Sequence, residues 1–94
     1  MNAEAKYKEL IEPLIDKYKK GEIDIKQVLL VIIPIFKEAD KYLEKNEDCN
    51  DPYVLGMQEA YIKNPGISVR TTNNELINSF FYDINDYINF YIKK

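Results

Sequence analysis

The chain has 94 residues, of which 46% are hydrophobic and 31% charged, with a formal net charge of −3 and a single cysteine, Cys49. This length fits one domain, and the apolar fraction excludes a globally disordered chain. The negative charge argues against general nucleic-acid binding, which needs a basic surface, and one cysteine excludes an internal disulfide bond. The first residues lack the apolar core of a signal peptide, and no apolar run approaches the roughly 20 residues that span a bilayer. We therefore expect a soluble, cytoplasmic protein.

Apolar residues recur at helical spacing in four segments and predict an all-α fold, a small four-helix bundle forming a single domain over residues 1–94. The predicted helices cover about residues 3–20, 24–46, 52–63 and 73–93. Leu10, Val31 and Ile92 belong to the predicted core stripes, whereas Leu30 and Ile33 fall outside them. The pattern leaves open whether the first two helices kink at their internal prolines, Pro13 and Pro34.

Residues typical of helix ends support these boundaries. Gly21 is a C-terminal stop for the first helix, and Asp24 is a cap for the second. Asp51, which directly precedes a proline, marks the start of the third helix. Thr72 and Glu75 match a capping box, in which each side chain satisfies a free N–H group at the start of the fourth helix.

Residues suited to catalysis are scarce. The chain has no histidine, which removes the commonest general base and metal ligand. Cys49 follows Asp48, whose charge disfavours a reactive thiolate. Asp48, Asn50 and Glu59 have the spacing of a calcium loop, but Pro52 and Tyr53 occupy a ligand position and its required glycine, so we reject that site. We expect no enzyme, no metal and no cofactor.

The fourth helix points instead to binding. Residues 71–92 contain no lysine or arginine, and Tyr82 falls nearly opposite the predicted core stripe. Glu75 and Asp86 share this outer face, with Asp83 and Phe90 at its border. A tyrosine among carboxylates suits an interface with a basic partner. The alternative is that Tyr82 packs on a neighbouring segment and the acids are merely solvated.

Residues 46–62 form a second stretch without basic residues, and it contains Glu47, Asp48, Asp51 and Glu59. Helix capping and the helix dipole account for Asp48 and Asp51 but not for Glu47 and Glu59. If the two base-free stretches meet in the fold, they form one acidic face that also carries a tyrosine.

Two segments, LIEPLIDKYKKGEIDIKQV and TTNNELINSFFYDI, and the order of the predicted helices resemble the small helical immunity proteins of the colicin D type. The intervening CNDPYVLGMQEAYIKNPG departs from that pattern. In this family a compact acidic protein blocks the positively charged active site of a tRNA-cutting toxin. The resemblance implies a non-catalytic inhibitor, an immunity protein or antitoxin, whose partner is a basic nuclease domain.

On this hypothesis the contacts come from Glu75, Tyr82, Asp83, Asp86 and Phe90, supplemented by the acids at positions 47, 48, 51 and 59. Lysines at both positions 83 and 86 are then expected to weaken binding and leave the fold intact.

Two other interpretations stay open. Surplus apolar residues outside the predicted stripes favour a self-associating structural or adaptor module, for example a homodimer. These residues are Leu30, Ile33, Leu55 and Ile62. An immunity protein acting near the membrane is disfavoured by the acidic charge, because cytoplasmic membrane surfaces are themselves negative.

Overall fold

A computed structural model describes all 94 residues and shows four helices and no strand, which confirms the all-α fold. Helix α1 is continuous from Ala3 to Lys19 and consists of an α-helical turn Ala3–Lys6, a π-helical segment Tyr7–Ile11 and an α-helix Glu12–Lys19. Helices α2, α3 and α4 span Ile25–Lys45, Pro52–Lys63 and Asn74–Lys93. Twenty buried hydrophobic residues form one core cluster. No helix has both the length and the apolar character required to cross a membrane.

The residues predicted to end α1 and to start α2 and α3 do so. Gly21 has a φ of +75° and closes α1 in a Schellman motif, in which its N–H donates to the Tyr18 carbonyl and the next N–H donates to the Lys17 carbonyl. The Asp24 carboxylate accepts from the N–H of Gln27 at 3.0 Å, and the Asp51 carboxylate accepts from the N–H of Tyr53 at 2.9 Å.

The predicted capping box at the start of α4 is wrong. Asn73, not Thr72, caps this helix, and its side-chain oxygen accepts from the N–H groups of Glu75 and Leu76 at 2.9 and 3.2 Å. Asparagine caps a helix at least as well as threonine. Because the helix begins one residue later than the motif requires, Glu75 is at its second position and does not pair with Thr72.

The π-helical segment of α1 explains why Leu10 is 45% exposed instead of in the core, as predicted. Ala3, Tyr7, Ile11 and Ile15 are all buried at four-residue intervals. In a regular α-helix each such interval turns the face by about 40°, whereas a π turn holds one more residue per turn and keeps these four aligned. The wider turn lies just before Pro13, which has no N–H to donate. In contrast, α2 continues as an α-helix through its own proline, Pro34.

The core face of α2 is rotated relative to the prediction. Ile33 is 2% exposed and Val31 37% exposed, the reverse of what was expected. Helix α2 packs against both α1 and α3, so its buried arc extends to the side that carries Ile33. In α4, Ile92 is also exposed, contrary to its assignment to the core. The contact between Gly56 and Ile88 sets the antiparallel register of α3 and α4, which puts Ile92 beyond the deepest part of the core.

Helices α3 and α4 form the most extensive helix pair in the molecule. A Cβ atom built on Gly56 would lie 2.7 Å from the Cα of Ile88, so the absence of a side chain permits the close approach of the two helices. At the other end of the pair, the buried Asn64 donates to the Ala60 carbonyl and to Asp83 and accepts from Ser79. These contacts fix which side of α4 faces outward.

Candidate protein-binding surface

Three exposed residues form a line along the outer side of α4: Tyr82, Asp86 and Phe90. They are four residues apart, so they are successive neighbours on the helix surface. Tyr82 is 69% exposed and Phe90 56% exposed, the two highest values among the exposed large hydrophobic residues. We call these three residues the outer stripe. At this exposure, neighbouring segments cover only a minor part of Tyr82.

On one side of the outer stripe, Tyr82 lines a groove of about 310 Å³ between α1 and α4. Glu12 and Asp16 of α1 line the same groove. Neither residue was predicted, because periodicity in α1 does not reveal which helix lies beside it. Lys19 also lines the groove, so Tyr82 has a basic neighbour from another helix although none is near it along α4.

Tyr7 of α1 also lines this groove, and its ring belongs to the core. Its hydroxyl donates to the side-chain oxygen of Asn85 at 3.3 Å. Burial raises the pKa of Tyr7 to about 12, and the negative charge of Glu12 acts in the same direction. The phenol therefore keeps its proton to a higher pH than an unperturbed tyrosine does.

On the other side of the outer stripe, α3 and α4 enclose a groove of about 400 Å³. Glu59 of α3 meets Asp86, Phe90, Tyr91 and Lys93 of α4 there. Partial burial raises the pKa of Tyr91, and the nearby charge of Glu59 raises it further. Glu59, from the second base-free stretch, is thus brought beside two residues predicted from the first.

The remaining predicted contacts are not gathered at the outer stripe. Glu75 is seven residues before Tyr82, about 10 Å along the helix axis. Glu47 and Asp48 are exposed in the loop between α2 and α3. That loop meets the far end of α4, where Asn50 and Lys94 line one shallow groove. Glu59 therefore lies beside Asp86 at one groove, whereas Glu47 and Asp48 lie in a loop next to the end of α4.

Asp51 and Asp83 have structural roles. Asp51 caps α3. Asp83 is half-buried and accepts from the side-chain amide of Asn64 at 2.9 Å, and Asn64 is itself only 3% exposed. A lysine at position 83 would remove this acceptor, so the change of both aspartates to lysine is expected to lower stability as well as binding. Only Asp86 of that pair is a free surface carboxylate.

A second apolar surface lies on α2. Leu30 is 52% exposed, and Val31 and Pro34 are exposed beside it at helical spacing. We call these three residues the α2 patch. Of the other surplus apolar residues, Ile62 is exposed, Leu55 is half-buried, and Ile33 belongs to the core, contrary to its proposed place on an interface.

No group of three or more cysteine or acidic side chains is arranged to hold a metal ion. Cys49 is free and half-buried. Comparisons with protein-family models, with curated proteins and with solved structures give no match. The arrangement of exposed side chains therefore carries the functional argument.

Proposed function

We propose that this protein is a non-catalytic inhibitor, a cytoplasmic immunity protein or antitoxin of bacterial type. Its partner is a basic protein, a nuclease-type toxin domain whose active site it covers. The observation that carries the proposal is the outer stripe, in which two exposed aromatic residues flank the carboxylate of Asp86.

This arrangement matches what protein interfaces use. Aromatic residues supply large contact areas at low cost in conformational entropy, and tyrosine is enriched at energetic hot spots. Acidic side chains on both neighbouring helices, Glu12 and Asp16 on α1 and Glu59 on α3, flank the stripe, and with Asp86 they outnumber the two lysines of the same grooves, Lys19 and Lys93. Their negative charge would steer a basic partner and accelerate its association.

The first test uses the tagged protein to recover its partner from native cells, followed by an assay of the partner's nuclease activity. Wild-type protein should suppress that activity. The variants Tyr82→Ala and Asp86→Lys should each weaken binding by at least about tenfold, which corresponds to about 1.4 kcal/mol. The matched control is Glu44→Lys, which makes the same charge change at an exposed position on α2.

Full inhibition by both outer-stripe variants would contradict the proposal, as would a partner that is not basic. The association rate provides a second measurement. It should fall as ionic strength rises, because salt screens charges separated by more than about 10 Å at 0.1 M. A rate that does not depend on salt would remove the electrostatic part of the proposal.

The α2 patch favours a second candidate function, a self-associating structural or adaptor module. Sedimentation of the isolated protein separates the two candidates: a tight homodimer that Leu30→Lys converts to a monomer supports self-association. A monomer at all concentrations, unaffected by that change, leaves the inhibitor as the proposed function.

A further inference from the structure

The groove between α3 and α4 combines carboxylates with aromatic rings. Glu59 enters from α3 and Asp86 from α4, and the rings of Phe90 and Tyr91 contribute apolar walls. Both ion pairs in the structure, Lys6–Glu38 and Lys8–Glu4, lie elsewhere. Neither carboxylate of the groove has a salt-bridge or hydrogen-bond partner.

The aromatic rings at this site already interact with a cation. The ammonium nitrogen of Lys94 lies 5.9 Å from the centre of the Phe90 ring and 5.7 Å from that of Tyr91. These distances are within the range of cation–π attraction. Both rings can therefore attract a cation, although Lys94 itself lines the adjacent groove with Asn50 and Leu55. The carboxylates of Glu59 and Asp86 have no partner within the chain and remain available for a donor.

We propose that this groove receives an arginine side chain of the basic partner, with its guanidinium over Phe90 and its N–H groups directed at Glu59 and Asp86. The partner's identity as a basic protein rests on the proposed function; the preference for arginine comes from the groove. A guanidinium is planar, stacks on aromatic rings and donates to carboxylates in a fixed fork. Lysine offers a compact ammonium that is more strongly hydrated and gains less from such a groove.

The site also accounts for the exposure of Phe90. An aromatic ring in solvent contributes nothing to the core, but under a bound guanidinium it loses contact with water and gains the cation–π attraction. The lysines of the last turn, Lys93 and Lys94, border the same region and would swing aside when the partner's side chain enters. Glu59 and Phe90 thus bind the arginine, whereas Tyr82 lies outside this groove and contacts the partner separately.

The test is an NMR titration of the intact protein with a six-residue arginine peptide and with a six-residue lysine peptide of equal charge. The arginine peptide should shift the ring resonances of Phe90 and Tyr91 and bind about threefold or more tightly than the lysine peptide. The double variant Glu59→Gln/Asp86→Asn should weaken arginine-peptide binding about tenfold.

The control double variant Glu22→Gln/Glu44→Gln removes the same charge at two exposed positions outside the groove. It should keep most of the affinity. A second variant, Phe90→Ala, should abolish the preference for arginine over lysine while leaving the charge unchanged. Equal binding of both peptides, or an equal loss in the control variant, would overturn the proposal, because either result reduces the effect to net charge.

The peptide titration does not require the natural partner, so the two proposals fail separately. If the arginine peptide leaves the groove unaffected while Tyr82→Ala still disrupts the partner complex, the groove assignment is wrong and the inhibitor proposal stands. If the groove selects arginine but no basic partner is recovered, the inhibitor proposal is wrong and the arginine site stands.

Discussion

Both faces of helix α4 carry aromatic residues, but those of one face are buried and those of the other are exposed. Phe80 and Phe81 are buried in the core, whereas Tyr82, the next residue, is 69% exposed. Adjacent residues of an α-helix point about 100° apart, so three consecutive aromatic residues cannot all enter one core. The inner face accounts for stability, and the outer face contributes surface that stability does not require. This contrast can be tested on each face separately.

The largest effect is expected from Phe80→Ala. Phe80 is fully buried and contacts the ring of Phe36, with the ring centres 5.1 Å apart. Its removal leaves a cavity and should lower the free energy of unfolding by about 3–5 kcal/mol. Tyr82→Ala should change it by no more than about 0.5 kcal/mol. Urea unfolding of both variants measures the difference, and similar losses would mean that the outer face also supports the fold.

The second effect tests how closely the inner face approaches α3. A Cβ atom added at Gly56 would lie 2.5 Å from a side-chain carbon of Ile88 and 2.7 Å from its backbone Cα. Backbone cannot rotate away as a side chain can, so Gly56→Ala must separate the two helices. We expect a loss of about 1–3 kcal/mol in thermal or urea unfolding. Unchanged stability would show that the helices have more room than this contact allows.

A smaller contrast concerns the two aspartates of α4. Asp83→Ala should cost about 1–3 kcal/mol, because it deprives the buried Asn64 of an acceptor. Asp86→Ala should stay within about 0.5 kcal/mol, since Asp86 has no partner within the chain. A double-mutant cycle with Asn64→Ala isolates the contribution of the hydrogen bond. Additive losses in that cycle would contradict a direct interaction between Asp83 and Asn64.

Hydrophobic periodicity and helix-end residues were sufficient to predict four helices and their starts at Asp24 and Asp51, because those signals are local. Periodicity failed where the backbone departs from 3.6 residues per turn, as at Leu10, whose exposure depends on a π turn. It also failed for Ile33, because the width of a buried arc depends on which helices lie beside it. Local patterns contain neither kind of information.

The candidate surface shows the same limit. The outward direction of Tyr82 and Asp86 followed from the stripe of α4 alone. The position of Glu59 beside Asp86 could not be predicted, because it depends on the antiparallel register of α3 and α4. That register rests on the contact of Gly56 with Ile88. The hydrogen bond of Asp83 to Asn64 was not predicted, because Asn64 was interpreted only as a helix end. A residue at the border of a helical stripe can be assigned to structure or surface only once its neighbour is known.

The smallest effect on stability at neutral pH is expected at Tyr7. Its ring packs in the core, and its hydroxyl reaches the groove beside Tyr82. Tyr7→Phe removes one long hydrogen bond, to the exposed Asn85, and should cost less than about 1 kcal/mol at neutral pH. The effect should then depend on pH. The raised pKa means that the folded protein keeps this proton in a range where the unfolded chain, with a tyrosine pKa near 10, has lost it.

Ionisation therefore favours the unfolded chain as the pH rises from 10 to 12, and wild-type protein should lose stability relative to Tyr7→Phe across that window. Urea unfolding of the two proteins at several pH values measures the difference, and ultraviolet titration of the folded proteins shows whether the variant lacks the tyrosine that ionises last. A stability difference that stays constant from pH 10 to 12 would mean that the Tyr7 hydroxyl is in contact with water. The hydroxyl would then be less buried than the packing of the Tyr7 ring indicates.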